Sequence, residues 1–249
     1  MIYSNYHTHT RFCDGENSPE ELIVRALELG LKELGFSIHS DLYNDLDGYF
    51  SEISRLKEKY ADKISIKNGV EYDYYFDIDT SRFDYVIGGV HYLEKNGKLR
   101  PIDYNEDLFL SLVNECYGGD FYALCEDYFK TLEKLYEKTH CDIVAHFDLV
   151  TKYNENDRLF DTKNPRYIKA AEHALLTLIE KPVIFEINTG AMAKGYRSTP
   201  YPAKNLLDIL KGNGAKTILS SDCHDKRYLT HAFSEHQSLA TLDKLPERN

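Results

Sequence analysis

The chain has 249 residues and a mass of 28.9 kDa, enough to bury a substantial core in one large domain or two small ones. A hydrophobic fraction of 42% with 13% aromatic residues excludes a disordered chain, and no run of 18 apolar residues marks a membrane span. A formal net charge of −11 argues against a nucleic-acid polymer as partner, though a small phosphorylated ligand stays open because bound cations invert a field locally.

Residues 2–6, Ile-Tyr-Ser-Asn-Tyr, read as a short strand, so His7 and His9 sit two residues apart at its end. Side chains at i and i+2 of a strand share a face, which makes the two imidazoles half of a metal site. Asp14 can add a carboxylate from the next loop, where Gly15 frees the backbone to turn. An isolated His-x-His is equally a pair of surface histidines, so the rest of the chain has to decide. The same N-terminus lacks the basic and apolar regions of a signal peptide.

Ser18-Pro19-Glu20-Glu21 starts a helix, with Ser18 as N-cap and Glu21 completing a capping box, and Gly30 stops it. Leu34–His39 is the second strand, and a charged helix covers Tyr49 to Tyr60. Ile64–Glu71 and Tyr85–His91 are the third and fourth strands. Helices over Asp107–Cys116 and Phe121–Lys138 lead to a fifth strand, Asp142–His146. A polar excursion over Lys152–Asn164 precedes a helix over Arg166–Ile179. Val183–Asn188 is the sixth strand, a helix covers Lys204–Leu210, Lys216–His224 is the seventh strand, and a helix or two closes the chain. The alternation predicts parallel pairing with helical crossovers, and about seven such units suit one closed or nearly closed (β/α) barrel spanning residues 1–249. An open doubly wound sheet is the alternative, but no Gly-x-Gly-x-x-Gly follows the first strand.

In a parallel barrel the functional face is the C-terminal end of the strands. Six of the seven predicted strands place a metal-type ligand there: His7 and His9, His39, Glu71, His91, His146, then Asp222 and His224. With Asp14 the set numbers nine, more than one ion takes, and suits two or three divalent ions with Glu71 or Asp222 as a bridging carboxylate. One strand-end histidine is ordinarily packing or surface. Three on separate strands with the same polarity are not explained that way, whereas His140, His173, His231 and His236 on loops or helices are left as ordinary. Three divalent cations set against three carboxylates and a hydroxide leave a charge of about +2, the complement of a phosphate monoester dianion. Bound water with its pKa lowered to roughly 7 makes hydroxide available for attack on phosphorus at neutral pH. The five cysteines, Cys13, Cys116, Cys125, Cys141 and Cys223, are scattered and form no Cys-x-x-Cys pair, which points to reduced thiols in the cytoplasm.

With these residues in view the sequence resembles the polymerase-and-histidinol-phosphatase (PHP) superfamily, and within it the histidinol-phosphatase branch. The resemblance is carried by His7-Thr8-His9 with Cys13-Asp14-Gly15, Ser37-Ile38-His39-Ser40, Gly69-Val70-Glu71, Gly89-Val90-His91-Tyr92, the segment Asp142–Leu149 and Ser220-Ser221-Asp222-Cys223-His224. Glu186-Ile187-Asn188-Thr189-Gly190 and Pro200-Tyr201-Pro202 point to the branch. It implies a distorted seven-stranded (β/α) barrel with a trinuclear centre. His7, His9, Glu71 and Asp222 would hold one metal, Glu71, His91 and His146 a second, and Asp14, His39 and His224 a third. Asp14 departs from relatives that carry a histidine there. Zinc, manganese and iron all accept such mixed ligands.

The implied reaction is hydrolysis of L-histidinol phosphate to L-histidinol and phosphate, in histidine biosynthesis, by a metal-bridging hydroxide that Glu71 and Asp222 bridge or orient. Arg197, in the loop after the sixth strand, and Arg158, in the excursion after the fifth, are candidate phosphate clamps, because a guanidinium fork suits phosphate oxygens. Arg11 is a third candidate. Glu186 and Asn188 share a face of the sixth strand and would either support the ligands or meet the substrate's amine or imidazole. The rival readings are a PHP-family phosphoesterase acting on a nucleotide or phosphotyrosine, and a non-catalytic metal-binding module.

Overall fold

The structure, a computed structural model, describes residues 3–247, so Ile2 of the first predicted strand lies outside the described residues. The elements run β1 (Ser4–Asn5), α1 (Pro19–Glu28), β2 (Glu33–His39), α2 (Leu46–Lys59), β3 (Ser65–Asp73) and β4 (Tyr85–Gly89). A hairpin follows, β5 (Tyr92–Lys95) and β6 (Lys98–Pro101), then α3 (Glu106–Tyr117), α4 (Phe121–Leu132) and α5 (Leu135–Thr139). After these come β7 (Ile143–Val144), α6 (Pro165–Ile179), β8 (Ile184–Asn188) and α7 (Gly190–Ala193). The last are α8 (Lys204–Gly212), β9 (Thr217–Ser220) and α9 (Phe233–His236).

Seven strands pair in parallel in the order β1-β2-β3-β4-β7-β8-β9. The two ends of the sheet meet just beyond β1 and β9. There Thr8 bridges Cys223, the His9 amide donates to the Cys223 carbonyl at 2.8 Å, and the Cys223 amide donates to the His7 carbonyl at 3.2 Å. The fold is therefore a nearly closed, distorted seven-stranded barrel built from the seven strands that the sequence predicts.

Capping chemistry fixes α1 as expected. The Glu21 amide donates to the Ser18 hydroxyl at 3.3 Å, and the Ser18 amide donates to the Glu21 carboxylate at 3.0 Å. Two features depart from the sequence reading. The β5–β6 hairpin turns on Asn96 and Gly97, both at positive φ (54° and 71°), as a two-residue Asn-Gly turn requires. The helix expected over 121–138 breaks at residues 133–134, which lets Leu135 and Thr139 bury themselves beside β4.

Apolar side chains fill two layers. Outside the barrel Phe36, Val70 and Val86 pack with helix residues such as Leu22, Ile53 and Leu112. Inside it Tyr85, Ile87, Ile143, Ala145, Ile184 and Ile218 form an apolar plug with Tyr6, covered below by Leu242 and Leu245. Tyr85 fits because β2 and β3 place glycines against its ring: a Cβ on Gly69 would lie 2.2 Å from Tyr85 Cζ, and one on Gly35 would lie 2.4 Å from its hydroxyl. Alternation then decides what lies above the plug. The inward residue two positions beyond Gly69 is Glu71, two beyond Ile184 is Glu186, and two beyond Ile143 is Ala145, with His146 next in the chain.

Candidate metal centre

All nine residues singled out at the strand ends meet at the C-terminal rim. Glu71, buried on β3, lies at the middle. Its Oε2 lies 3.1 Å from His7 Nε2, 3.3 Å from His9 Nε2 and 3.1 Å from His39 Nδ1. Its Oε1 lies 3.0 Å from His146 Nε2 and 3.2 Å from His91 Nε2. Asp222 Oδ1 faces the first pair of imidazoles from β9's side, 3.6 Å from His7 Nε2 and 3.3 Å from His9 Nε2. Asp14 lies 3.4 Å from His39 Nε2 and 3.2 Å from His224 Nε2. The potential ligand atoms form three groups: His7, His9 and Asp222; Glu71, His91 and His146; and His9, Asp14, His39 and His224. Asp222 itself sits at φ 48°, in the left-handed region that Asp tolerates better than most residues.

The residues fit metal ions on an observation independent of any family. His7 Nε2, His9 Nε2 and Glu71 Oε2 are buried and have no hydrogen-bond partner, although Glu71 Oε2 lies 3.1 Å from His7 Nε2 and 3.3 Å from His9 Nε2. Orphaned buried polar atoms cost free energy, and three of them aimed at a common point make a donor set for a cation. The other ring edges are already tied down. His7 Nδ1 meets Glu186 Oε1 at 2.7 Å, and His91 Nδ1 meets Asp73 Oδ2 at 3.3 Å. His224 Nδ1 meets the Asp222 carbonyl oxygen at 2.9 Å. Such contacts leave Nε2 free to coordinate.

Without cations the groups balance each other. Burial alone would push the His7 imidazole down, but Glu186, Glu71 and Asp222 outweigh it and hold His7 well above the usual histidine range. Burial likewise opposes His91 and His39, and Glu71 with Asp73 or Asp14 raises both. Burial would raise the carboxyl of Glu71, yet His7, His39, His91 and His146 hold it well below the usual range. Asp14 is lowered in the same way by the imidazoles beside it, and Asp222 by His7, Lys194, His9 and His224, both against burial. His9 goes the other way, pushed down by burial and by His224 and His39.

Glu186 and Asn188 lie beneath this layer, not in the cleft. Glu186 Oε2 accepts from the His146 amide at 3.0 Å and from Asn188 Nδ2 at 2.8 Å, so one carboxylate orients two of the imidazole-bearing segments. Asp73 went unnoticed in the sequence, although it lies two residues beyond Glu71 on the same strand face. It accepts from the His91 amide at 2.7 Å.

Above the rim opens a cleft of about 470 Å³, within the range of small-molecule sites. Five carboxylates line it, Asp14, Asp41, Glu71, Asp103 and Asp222, against two lysines, Lys152 and Lys194. The three arginines proposed from sequence are not brought to it. Arg158 forks onto Glu106 at 2.8 and 2.9 Å. Arg11 donates to the Glu16 carbonyl at 2.7 Å on the outer surface. Arg197 is buried behind the wall, bonded to Thr151, 3.8 Å from Asp148 and stacked over the Tyr201 ring at 4.5 Å. Loop position suggested these arginines, but each guanidinium follows its nearest fixed acceptor, and those acceptors turn it away.

Residues 5–190 match the family model of the PHP domain. A histidinol-phosphatase of Lactococcus lactis is 29% identical over 241 residues, covering 88% of this chain and 83% of its own. Among solved structures, a candidate histidinol phosphatase of Listeria monocytogenes superposes with a TM-score of 0.80 at 20% identity, over 94% of this chain and 99% of that one. The histidinol phosphate phosphatase of Lactococcus lactis, complexed with zinc, L-histidinol and phosphate, superposes with a TM-score of 0.71 at 24% identity, over 99% and 95%. At these identities the structural likeness is one of fold.

Proposed function

Because the chain belongs to the PHP domain family, we propose that it is a metal-dependent phosphomonoesterase hydrolysing L-histidinol phosphate to L-histidinol and phosphate. The observation that carries the reading is the meeting of eight histidine and aspartate side chains with Glu71 at one rim, in a chain aligned along most of its length with histidinol-phosphatases. His7, His9 and Asp222 with Glu71 Oε2 would hold one divalent ion, and His91 and His146 with Glu71 Oε1 a second. Asp14, His39 and His224 would hold a third. Zinc, manganese and iron all accept this set. Bound there, such ions supply Lewis-acid polarisation of the phosphoryl oxygens and acidify a water to near neutrality.

The chain's own residues supply the rest. Glu186 and Asp73 fix the ring orientations of His7 and His91 through their Nδ1 edges. Glu71 divides its two oxygens between two ligand groups, and so sets their spacing. The five carboxylates of the cleft offset its lysines and raised imidazoles in the metal-free protein, so bound cations would supply the positive charge that a phosphate dianion needs. The same carboxylates suit a substrate that also carries an ammonium and an imidazole. We read residues 1–249 as one domain, and the five unpaired cysteines support a reducing, cytoplasmic setting.

A panel of phosphomonoesters compared by kcat/KM tests the substrate. L-histidinol phosphate is expected to be turned over at least about tenfold better than a nucleoside monophosphate or phosphotyrosine, roughly the net worth of one hydrogen bond. Equal or faster turnover of a nucleotide would defeat the assignment.

A further inference from the structure

We propose that Lys194 is the side chain that grips the substrate's phosphate in the cleft, an inference that rests on the phosphomonoesterase reading of the site. The guanidinium groups of Arg197, Arg158 and Arg11 are committed elsewhere, so among the described residues the cleft offers a phosphate two lysines and no arginine. Lys152 is already neutralised: its Nζ donates to the Asp103 carbonyl at 2.6 Å and to Asp103 Oδ2 at 3.2 Å. Lys194 differs. Its Nζ lies 3.3 Å from His224 Nδ1, but that nitrogen lies 2.9 Å from the carbonyl oxygen of Asp222. A carbonyl can only accept, so His224 Nδ1 carries the proton and has no lone pair to offer an ammonium. Among the described residues no carboxylate lies within 4.0 Å of Lys194 Nζ. Its N–H groups are therefore available to an incoming acceptor, and a compact ammonium suits a phosphate oxygen.

The backbone aims this side chain. β8 ends at Asn188, and the single turn of α7 brings Lys194 round, its amide donating to the Gly190 carbonyl at 3.1 Å. Gly190 is pressed so closely on β9's continuation that a Cβ there would lie 2.7 Å from Asp222 Cβ. The turn is thus seated against the ligand-bearing segment, and Lys194 stands beside His224 and Asp222. Lys194 lines the cleft together with Asp41 and with Asp103, which already holds Lys152.

The test uses the zinc- or manganese-loaded protein as wild type, Lys194→Met, Lys194→Arg and Lys204→Met. Lys204 is exposed on α8 and pairs with Asp208 at 2.7 Å, so its variant is the control. Inorganic phosphate is titrated calorimetrically into each, with metal content matched by elemental analysis, and kcat/KM for L-histidinol phosphate is measured alongside. Lys194→Met is expected to lose about ten- to a hundredfold in phosphate affinity and in kcat/KM, the range for a charge-assisted hydrogen bond. Lys194→Arg should recover most of both, and Lys204→Met should match wild type. Phosphate binding by Lys194→Met equal to wild type, or no phosphate binding by wild type, overturns the inference. Should the wild type release no phosphate from L-histidinol phosphate, the substrate assignment falls, and the phosphate titration still decides the role of Lys194.

Discussion

Glu71 shows how one residue organises a site. Its carboxylate is buried beneath five imidazoles, and its two oxygens face different partners. In the metal-free protein that crowding favours the protonated form of three of the rings. His7, His39 and His91 are raised above the usual histidine range by Glu71 and neighbouring carboxylates, against the effect of burial. A raised pKa favours the protonated ring, and a cation must displace that proton before it can take Nε2. Metal affinity should therefore rise as pH rises through neutrality, and fall as pH falls. Calorimetric titration of zinc in buffers of different ionisation enthalpy reads this directly as protons released at each binding event. Binding with no proton release at pH 7 would contradict the protonation scheme. At this scale the sequence was legible where position in a strand dictates direction, as for His39 and Glu71. It was silent where a flexible side chain chooses among partners far along the chain. Arg158 finds Glu106 and Arg197 finds Asp148, neither of which spacing reveals. Lys194 gave no signal beyond a place in a glycine-bearing loop.

Elements position these residues through the pleat. β2 and β3 present Gly35 and Gly69 to the Tyr85 ring on β4, and the inward positions beyond them carry His39 and Glu71. Filling that gap should be costly. Gly69→Ala puts a Cβ 2.2 Å from Tyr85 Cζ, a ring whose hydroxyl is anchored to the Tyr6 carbonyl at 2.5 Å and cannot simply swing away. Overpacking of this kind costs about 1–3 kcal/mol. Urea unfolding of the metal-free variant should show a midpoint lowered accordingly, and an unchanged midpoint would mean that the plug is looser than described. Strand existence was readable from apolar runs bounded by turn residues, but extents were not. β7 keeps only Ile143 and Val144 in the ladder, and β9 ends at Ser220, four residues before the predicted end. The β5–β6 hairpin was readable in principle from Asn96-Gly97, yet its flanking charges, Glu94, Lys95, Lys98 and Arg100, mask the strand pattern.

At the scale of the whole molecule, parallel pairing sends every strand's C-terminal end to one rim, and an apolar plug closes the other end. Convergence of residues 7 to 224 follows from that polarity together with closure of the sheet through Thr8 and Cys223. Bound cations would give that carboxylate-rich rim the positive charge a phosphate substrate needs. The direct measurement is phosphate release from L-histidinol phosphate by protein stripped of metal by exhaustive chelation, verified as metal-free by elemental analysis, and then reloaded with zinc or manganese. Activity should be lost on stripping and restored on reloading. Undiminished release by the verified metal-free protein would contradict that expectation.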